Sequence, residues 1–199
     1  MTLTSRQRIE RVAADILARD GYNGMGLKAL SEATRLPYGS IYHHFPGGKE
    51  DIAVAAIRTR SVWVGGSIEQ VFAKGVTRSS IRAMFAFMAD RLERSEWLDG
   101  CPIGTPALDG SSESARIRAA CDAAFAAMID PMAAALARMG MSRKGAGDLA
   151  TTIIATYEGA MMLARVQQSR APMRSSAEAM IRLVEASLPS RARASDLRI

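Results

Sequence analysis

Residues 21–51 read GYNGMGLKALSEATRLPYGSIYHHFPGGKED, and the breaks within this stretch divide it into short helices. After the Gly-Tyr-Asn-Gly break at 21–24, Leu27, Leu30 and Ala33 recur at helical spacing over two or three turns. Leu36-Pro37 closes that segment, because a residue before proline avoids the helical region. Proline is tolerated in the first turn of a new helix, which Tyr38, Ile41 and Tyr42 continue until Phe45-Pro46-Gly47-Gly48 ends it. Upstream, Ile9, Val12, Ala13, Ile16 and Leu17 form an apolar stripe opposite Arg8, Glu10, Arg11 and Asp15. Thr4 and Gln7 have capping-box spacing, and Gly21 suits a left-handed stop. Three short helices therefore precede residue 46.

Downstream the periodicity lengthens. Lys49 opens a helix whose first turn holds Glu50 and Asp51, where negative charge complements the helix dipole. It runs past Trp63 towards Lys74, with Gly65-Gly66 as the expected kink. Residues 77–94 carry Ile81, Met84, Phe85, Met88 and Leu92 on one face. Gly, Pro and Ser make 100–114 the least regular stretch, and 115–139 is an alanine-rich helix with Pro131 as a kink or boundary. Residues 142–168 and 175–188 give two more helices, separated by Arg170-Ala171-Pro172. No segment alternates with period two, so the expected fold is all-α, with about nine helices. A three-helix N-terminal domain over 1–50 precedes a C-terminal helical bundle over 51–190 and a flexible basic tail over 191–199.

Composition narrows the class. The 199 residues are 48% hydrophobic and 23% charged, with a net charge of +6, which fits an ordinary globular protein. Cys101 and Cys121 are too few for a disulfide framework, so a reducing, cytoplasmic setting is expected. Residues 4–20 lack the layout of a signal peptide. The longest apolar stretch is read at 153–164, which contains Glu158 and is too short for a span of about 20 residues, so no membrane partner is expected. Residues 1–60 hold 9 basic and 6 acidic side chains and the remainder 17 and 14, leaving +3 in each part. A basic surface for nucleic acid must then arise by placement.

A helix, a tight turn and a second short helix with exposed polar and aromatic groups form a helix-turn-helix, whose second helix fits the major groove. Tyr42, His43 and His44 offer donors at the end of that helix and Lys49 at the start of the next, the usual chemistry of phosphate clamps. Tyr38 and Ser40 lie near its start, where side chains reach base edges, and Gly39 permits close backbone approach.

The run Tyr38-Gly39-Ser40-Ile41-Tyr42-His43-His44-Phe45-Pro46-Gly47-Gly48-Lys49-Glu50 resembles the TetR family of bacterial repressors. Residues 100–104, GCPIG, and 157–165, YEGAMMLAR, are similar to the subgroup that includes regulators of lincomycin-type multidrug resistance. The resemblance implies a homodimeric repressor on a palindromic DNA operator, released by a small apolar or aromatic effector bound in the C-terminal domain. Tyr42, His43, His44 and Lys49 match backbone-contacting positions, while Lys28, Tyr38, Gly39 and Ser40 match groove-facing ones, with Pro37 joining them at the helix start. The sequence departs from the pattern at three places. Met25-Gly26 replaces a hydroxyl cap, Arg35 a turn glycine and Pro37 a serine cap.

Other readings weigh less. Ile41 and Phe45 are expected in the core, and two adjacent histidines diverge by about 100° on a helix, which disfavours a metal site. Gly47-Gly48-Lys49 fails as a phosphate loop, since Glu50 stands where Ser or Thr would bind Mg²⁺. Trp63, Phe85, Met88, Trp97, Phe125, Met128, Tyr157, Met161 and Met162 are individually core candidates, but together they suit an adaptable apolar pocket that about half would line. Glu158 is a polar anchor for ligand or a structural carboxylate, and Cys101 a small buried hydrophobe more than a redox sensor. By the family resemblance, Ala155, Gly159, Met162, Ala179, Leu183 and Ala186 would let the last two helices form a four-helix dimer interface, with intramolecular packing as the alternative. No cofactor or catalytic residue is expected, since no acid/base pair has recognisable spacing. The rival readings are a helical interaction protein with a degenerate DNA-binding module and, further off, a helical-bundle enzyme.

Overall fold

The capping box at Thr4 starts the first helix of the computed structural model, which describes residues 3–189. The Gln7 amide donates to the Thr4 hydroxyl and the Thr4 amide to Gln7 Oε1. Helix α1, Ser5–Gly24, buries Ile9, Ala13, Ala14, Leu17 and Ala18. Gly21, at φ 73°, interrupts it, and one more helical turn follows before the chain leaves. A Cβ at Gly21 would meet the Asp109 carboxylate at 2.6 Å, so close approach as well as φ requires glycine.

Helices α2, Leu27–Thr34, and α3, Tyr38–His44, complete the N-terminal trio. Gly26 and Pro37 stand at their N-caps without a side-chain hydrogen bond, and Met25, ahead of Gly26, is fully buried. Arg35 closes α2 at φ 54° and ψ 36°, a left-handed conformation that costs an L-residue roughly 1–2 kcal/mol.

The longer helices are α4, Lys49–Val71; α5, Arg78–Arg94; α7, Ala115–Arg138; α8, Arg143–Gln167; and α9, Ala171–Ser187. With the short α6, Gly104–Asp109, they make nine helices and no strand among the described residues. The fold is all-α, as the periodicity predicts.

Four local expectations need correction. Helix α6 lies within the stretch read as irregular, and its C-terminus is held through Asp109. Helix α4 passes Gly65-Gly66 without a break, because Gly65 serves close packing. A Cβ there would stand 3.2 Å from the carbonyl of Ala127, the group that Pro131 deprives of its N–H partner four residues on. Pro131 itself is accommodated inside α7. Helix α9 begins at Ala171 rather than Ser175, with Pro172 in its first turn, where the missing N–H costs nothing.

The fourth correction concerns apolar length. Among the described residues one helix, Ala115–Arg138, is long and apolar enough to cross a membrane by length and composition. Its buried residues Ile117, Ala120, Cys121, Ala124, Met128, Met132 and Ala135 recur at three- and four-residue intervals, one packed face. Alanines raise the hydropathy of the remainder, which includes the exposed Arg118, Asp122 and Asp130.

By packing, the chain divides into two compact units. One comprises the residues up to Trp63 with Gly100–Phe125, and the other Val64–Asp99 with the residues from Ala126 onward. The first unit takes in α6 and the start of α7 beside the N-terminal trio. The tail expected over 191–199 lies outside the described residues.

Candidate nucleic-acid interface

Helix α3 has one anchored side and one open side. Ile41 is fully buried and Phe45, just past its end, is 2% exposed, fixing the helix against α1 and α2. On the opposite side Tyr38 and Tyr42 are 47% and 46% exposed, with Gly39 and His43 also exposed. Positions i, i+1, i+4 and i+5 form a continuous stripe along a helix. Nothing lies within 4 Å of a Cβ placed at Gly39, so the backbone is open to close approach. Ser40 and His44 are half-buried at the edges of this stripe, Pro37 is exposed ahead of it, and Lys28 is exposed on α2.

Side chains of α1 and α4 brace the C-terminal end of α3 and the turn after it. At its C-terminus, Arg6 from α1 donates to the His44 carbonyl at 3.1 Å and lies 4.5 Å over the Phe45 ring. Glu10 holds that guanidinium at 3.0 Å and also accepts from Thr59 of α4, so one carboxylate of α1 links α4 to the group that braces α3. Asp51 accepts from the Gly47 amide, closing the turn into α4. Lys49 is turned into the module, with its ammonium 3.4 Å from the Asn23 carbonyl and 4.5 Å over the Tyr22 ring.

A second set of braces comes from residues 100–116 of the same unit. Both Asp109 oxygens accept backbone amides, Tyr22 at 3.0 Å and Asn23 at 2.8 Å, the N–H groups that follow the break in α1 at Gly21. Glu113 takes the Asn23 side-chain amide at 3.0 Å. Ser114 and Arg116 grip Glu50, and Arg116 also reaches Asp51 at 2.7 Å. The Ser114 hydroxyl, more than any other group, holds the Glu50 carboxyl below the usual carboxylate range, and Arg116 does the same for Asp51. Burial is the main cause of the raised Tyr22 phenol. Sequence reading missed Arg6, Asp109 and Arg116, because each acts on groups 38 or more residues away and leaves no local spacing to detect.

The residues expected at a C-terminal pocket fall in both units. Trp63, 49% exposed, and the half-buried Phe125 belong to the first. In the second, Phe85, Met88, Met128, Tyr157 and Met161 are buried, while Trp97 and Glu158 are half-buried. Phe85 and Tyr157 meet edge to face at 5.3 Å. Phe85 also floors a groove of about 360 Å³ between α5 and α9, rimmed by Arg82, Arg170 and Arg174. Both cysteines are buried, and burial pushes the Cys121 thiol up to about 11, away from thiolate reactivity.

On α8, Ala155, Gly159, Met162 and Val166 recur at intervals of four, three and four on one face, with Met162 61% and Val166 78% exposed. A Cβ at Gly159 would meet nothing. On α9, Leu183 and Ala186 are exposed and Ala179 half-buried.

Residues 9–56 match the model of the TetR family of bacterial regulatory proteins, and residues 78–179 match the C-terminal domain of LmrA/YxaF-like transcriptional regulators. The chain is 28% identical over 170 residues to the HTH-type transcriptional regulator LmrA of Bacillus subtilis, covering 85% of this chain and 90% of that protein. It is also 28% identical to YxaF of the same organism over 174 residues, covering 85% and 89%. A TetR transcriptional regulator from Legionella pneumophila shares the fold, with a TM-score of 0.79 at 24% identity over 94% of this chain and 99% of that one.

Proposed function

Because the chain belongs to the TetR family of bacterial transcriptional regulators and is not an enzyme, we propose that it is a cytoplasmic repressor that binds a palindromic operator as a homodimer and leaves it when a small apolar or aromatic effector binds. The observation that carries the reading is the open stripe of α3. Tyr38, Gly39, Tyr42 and His43 face outward while Ile41 and Phe45 anchor the helix from behind. Tyr42, His43, His44 and Lys49 then serve the phosphate backbone, and Lys28, Pro37, Tyr38, Gly39 and Ser40 the groove. Lys49 reaches phosphate by leaving its bond with the Asn23 carbonyl, an exposed bond that costs little to exchange.

The homodimer would form on the α8 stripe together with Ala179, Leu183 and Ala186 of α9, which leaves Met162 and Val166 to be covered by a second copy. An effector site would draw on Phe85, Met88, Met128, Tyr157 and Met161 of the second unit, with Glu158 as polar anchor and Trp97 as a further aromatic candidate. Apolar effectors of that kind suit a role in multidrug resistance. Release follows if the effector prefers the operator-incompetent conformation, and its differential affinity sets the size of the response.

Single substitutions test the assignment of roles. Tyr42→Ala and Lys49→Ala are expected to weaken binding to specific and random duplexes alike, whereas Tyr38→Ala and Lys28→Ala should relax sequence preference at one half-site position, by about 1–3 kcal/mol for each base-edge interaction removed. Equal losses on both kinds of DNA for all four variants, measured by fluorescence anisotropy, contradict this division. The missing side-chain caps at Gly26 and Pro37 favour the rival reading, a helical interaction protein with a degenerate module, and that protein would bind no duplex with a steep salt slope.

A further inference from the structure

Resting on the reading of α3 as the groove-entering helix, we infer that Arg35, in the turn ahead of it, is a further DNA-binding residue whose guanidinium contacts a backbone phosphate. The turn does not need this side chain. Its closure comes from the Arg35 amide to the Glu32 carbonyl, the Leu36 amide to the Ser31 carbonyl, both at 3.3 Å, and the Ser31 hydroxyl to the Leu36 carbonyl at 2.7 Å. A glycine would form the same bonds and would relieve the left-handed strain at φ 54°. An arginine held in that conformation, exposed and bonded to no described side chain, points to a task outside the protomer.

The surrounding charges agree. Arg6, Lys49 and Arg60 of the same unit are engaged with Glu10, the Asn23 carbonyl and Asp15. Lys28 and Arg35 are the two cations between Leu27 and His44, and both are exposed. Arg35, Pro37, Tyr38 and Gly39 form an exposed run that leads into the outward stripe of Tyr42 and His43. The exposed Glu32 on α2 repels a phosphate backbone, and Arg35 offsets it three residues on. A long side chain with a planar five-donor fork suits phosphate oxygens flanking the groove, while the helix that follows reads the bases.

Arg35→Gly separates this role from a structural one, because the two predict opposite signs. The expected variant melts at the parent temperature or up to about 4 °C higher, since strain is relieved. It binds both operator and random duplex about five- to tenfold more weakly at 0.1 M salt, and the slope of log affinity against log salt is shallower by about 0.9. Arg35→Lys keeps the parent slope. Unchanged affinity and slope in Arg35→Gly, with the parent binding steeply, overturn the inference alone. A clear fall in melting temperature also overturns it, since the side chain is then structural. A parent without salt-dependent duplex binding removes the reading of α3 itself, and the inference with it.

Discussion

Met162→Arg combined with Val166→Arg is expected to turn the proposed homodimer into a folded monomer and to lower operator affinity by about 100-fold or more. Both side chains are mostly exposed in the single protomer, at 61% and 78%, so the substitutions should leave its fold intact, while the melting temperature falls by the stabilisation that the second copy lends the parent. In the proposed assembly the two-fold axis brings each helix α8 against its copy. Two arginines per protomer then become four unpaired charges in one interface, each costing several kcal/mol to bury. A monomer engages one half-site and forfeits the avidity of two linked heads, typically a factor of about 10²–10⁴. Sedimentation velocity reads the mass and anisotropy the affinity. A variant that remains dimeric with parental affinity places the interface elsewhere.

Phe45→Ala should have the largest effect on stability. The ring is 2% exposed, ends α3 and lies beneath the Arg6 guanidinium. Truncating a buried phenylalanine costs about 3–5 kcal/mol, which lowers the melting temperature of a chain this size by roughly 6–20 °C. The loss also frees the end of α3, so duplex binding should fall before global unfolding. Phe45→Leu restores most of the volume and should recover most of both properties. A loss below about 1 kcal/mol in thermal or urea unfolding contradicts the placement of this ring in the core.

The parts of the molecule legible in the sequence are those decided by neighbours along the chain. The Thr4 capping box, the apolar stripes of α1 and α5 and the Leu36-Pro37 boundary act within four residues, and the structure has each of them. The α2–α3 turn was equally legible. Arg35 stands where glycine is usual in the family, and it takes the left-handed conformation that makes glycine usual. Helix α6 was hidden because its six residues lack an apolar period, and its position depends on Asp109 reaching Tyr22 and Asn23, 87 and 86 residues away. Pro172 looked like a separator but opens α9, because the first turn of a helix and the residue after one favour proline about equally.

At the candidate interface, residue type and spacing pointed to Tyr38, Gly39, Tyr42 and His43, which are exposed, and equally to Ser40 and His44, which are half-buried, but they were silent on the braces behind α3. Glu10, which unites Arg6 with Thr59, reads in sequence as one more charge on the polar face of α1. Lys49 reads as a free cation at a helix start, whereas the structure occupies it with Tyr22 and Asn23. Such assignments require knowing which helix lies across from which, and periodicity within one helix carries no information about that.

Operator recognition is tested by selection of the 199-residue protein against a random duplex library at two salt concentrations, with the enriched sequences determined. The expected result is an enriched palindrome whose half-sites lie about one helical turn apart, roughly 34–36 Å, with affinity falling steeply between the two salts. No enrichment, with weak binding that barely responds to salt, would contradict it and leave a helical interaction protein carrying a silent helix-turn-helix.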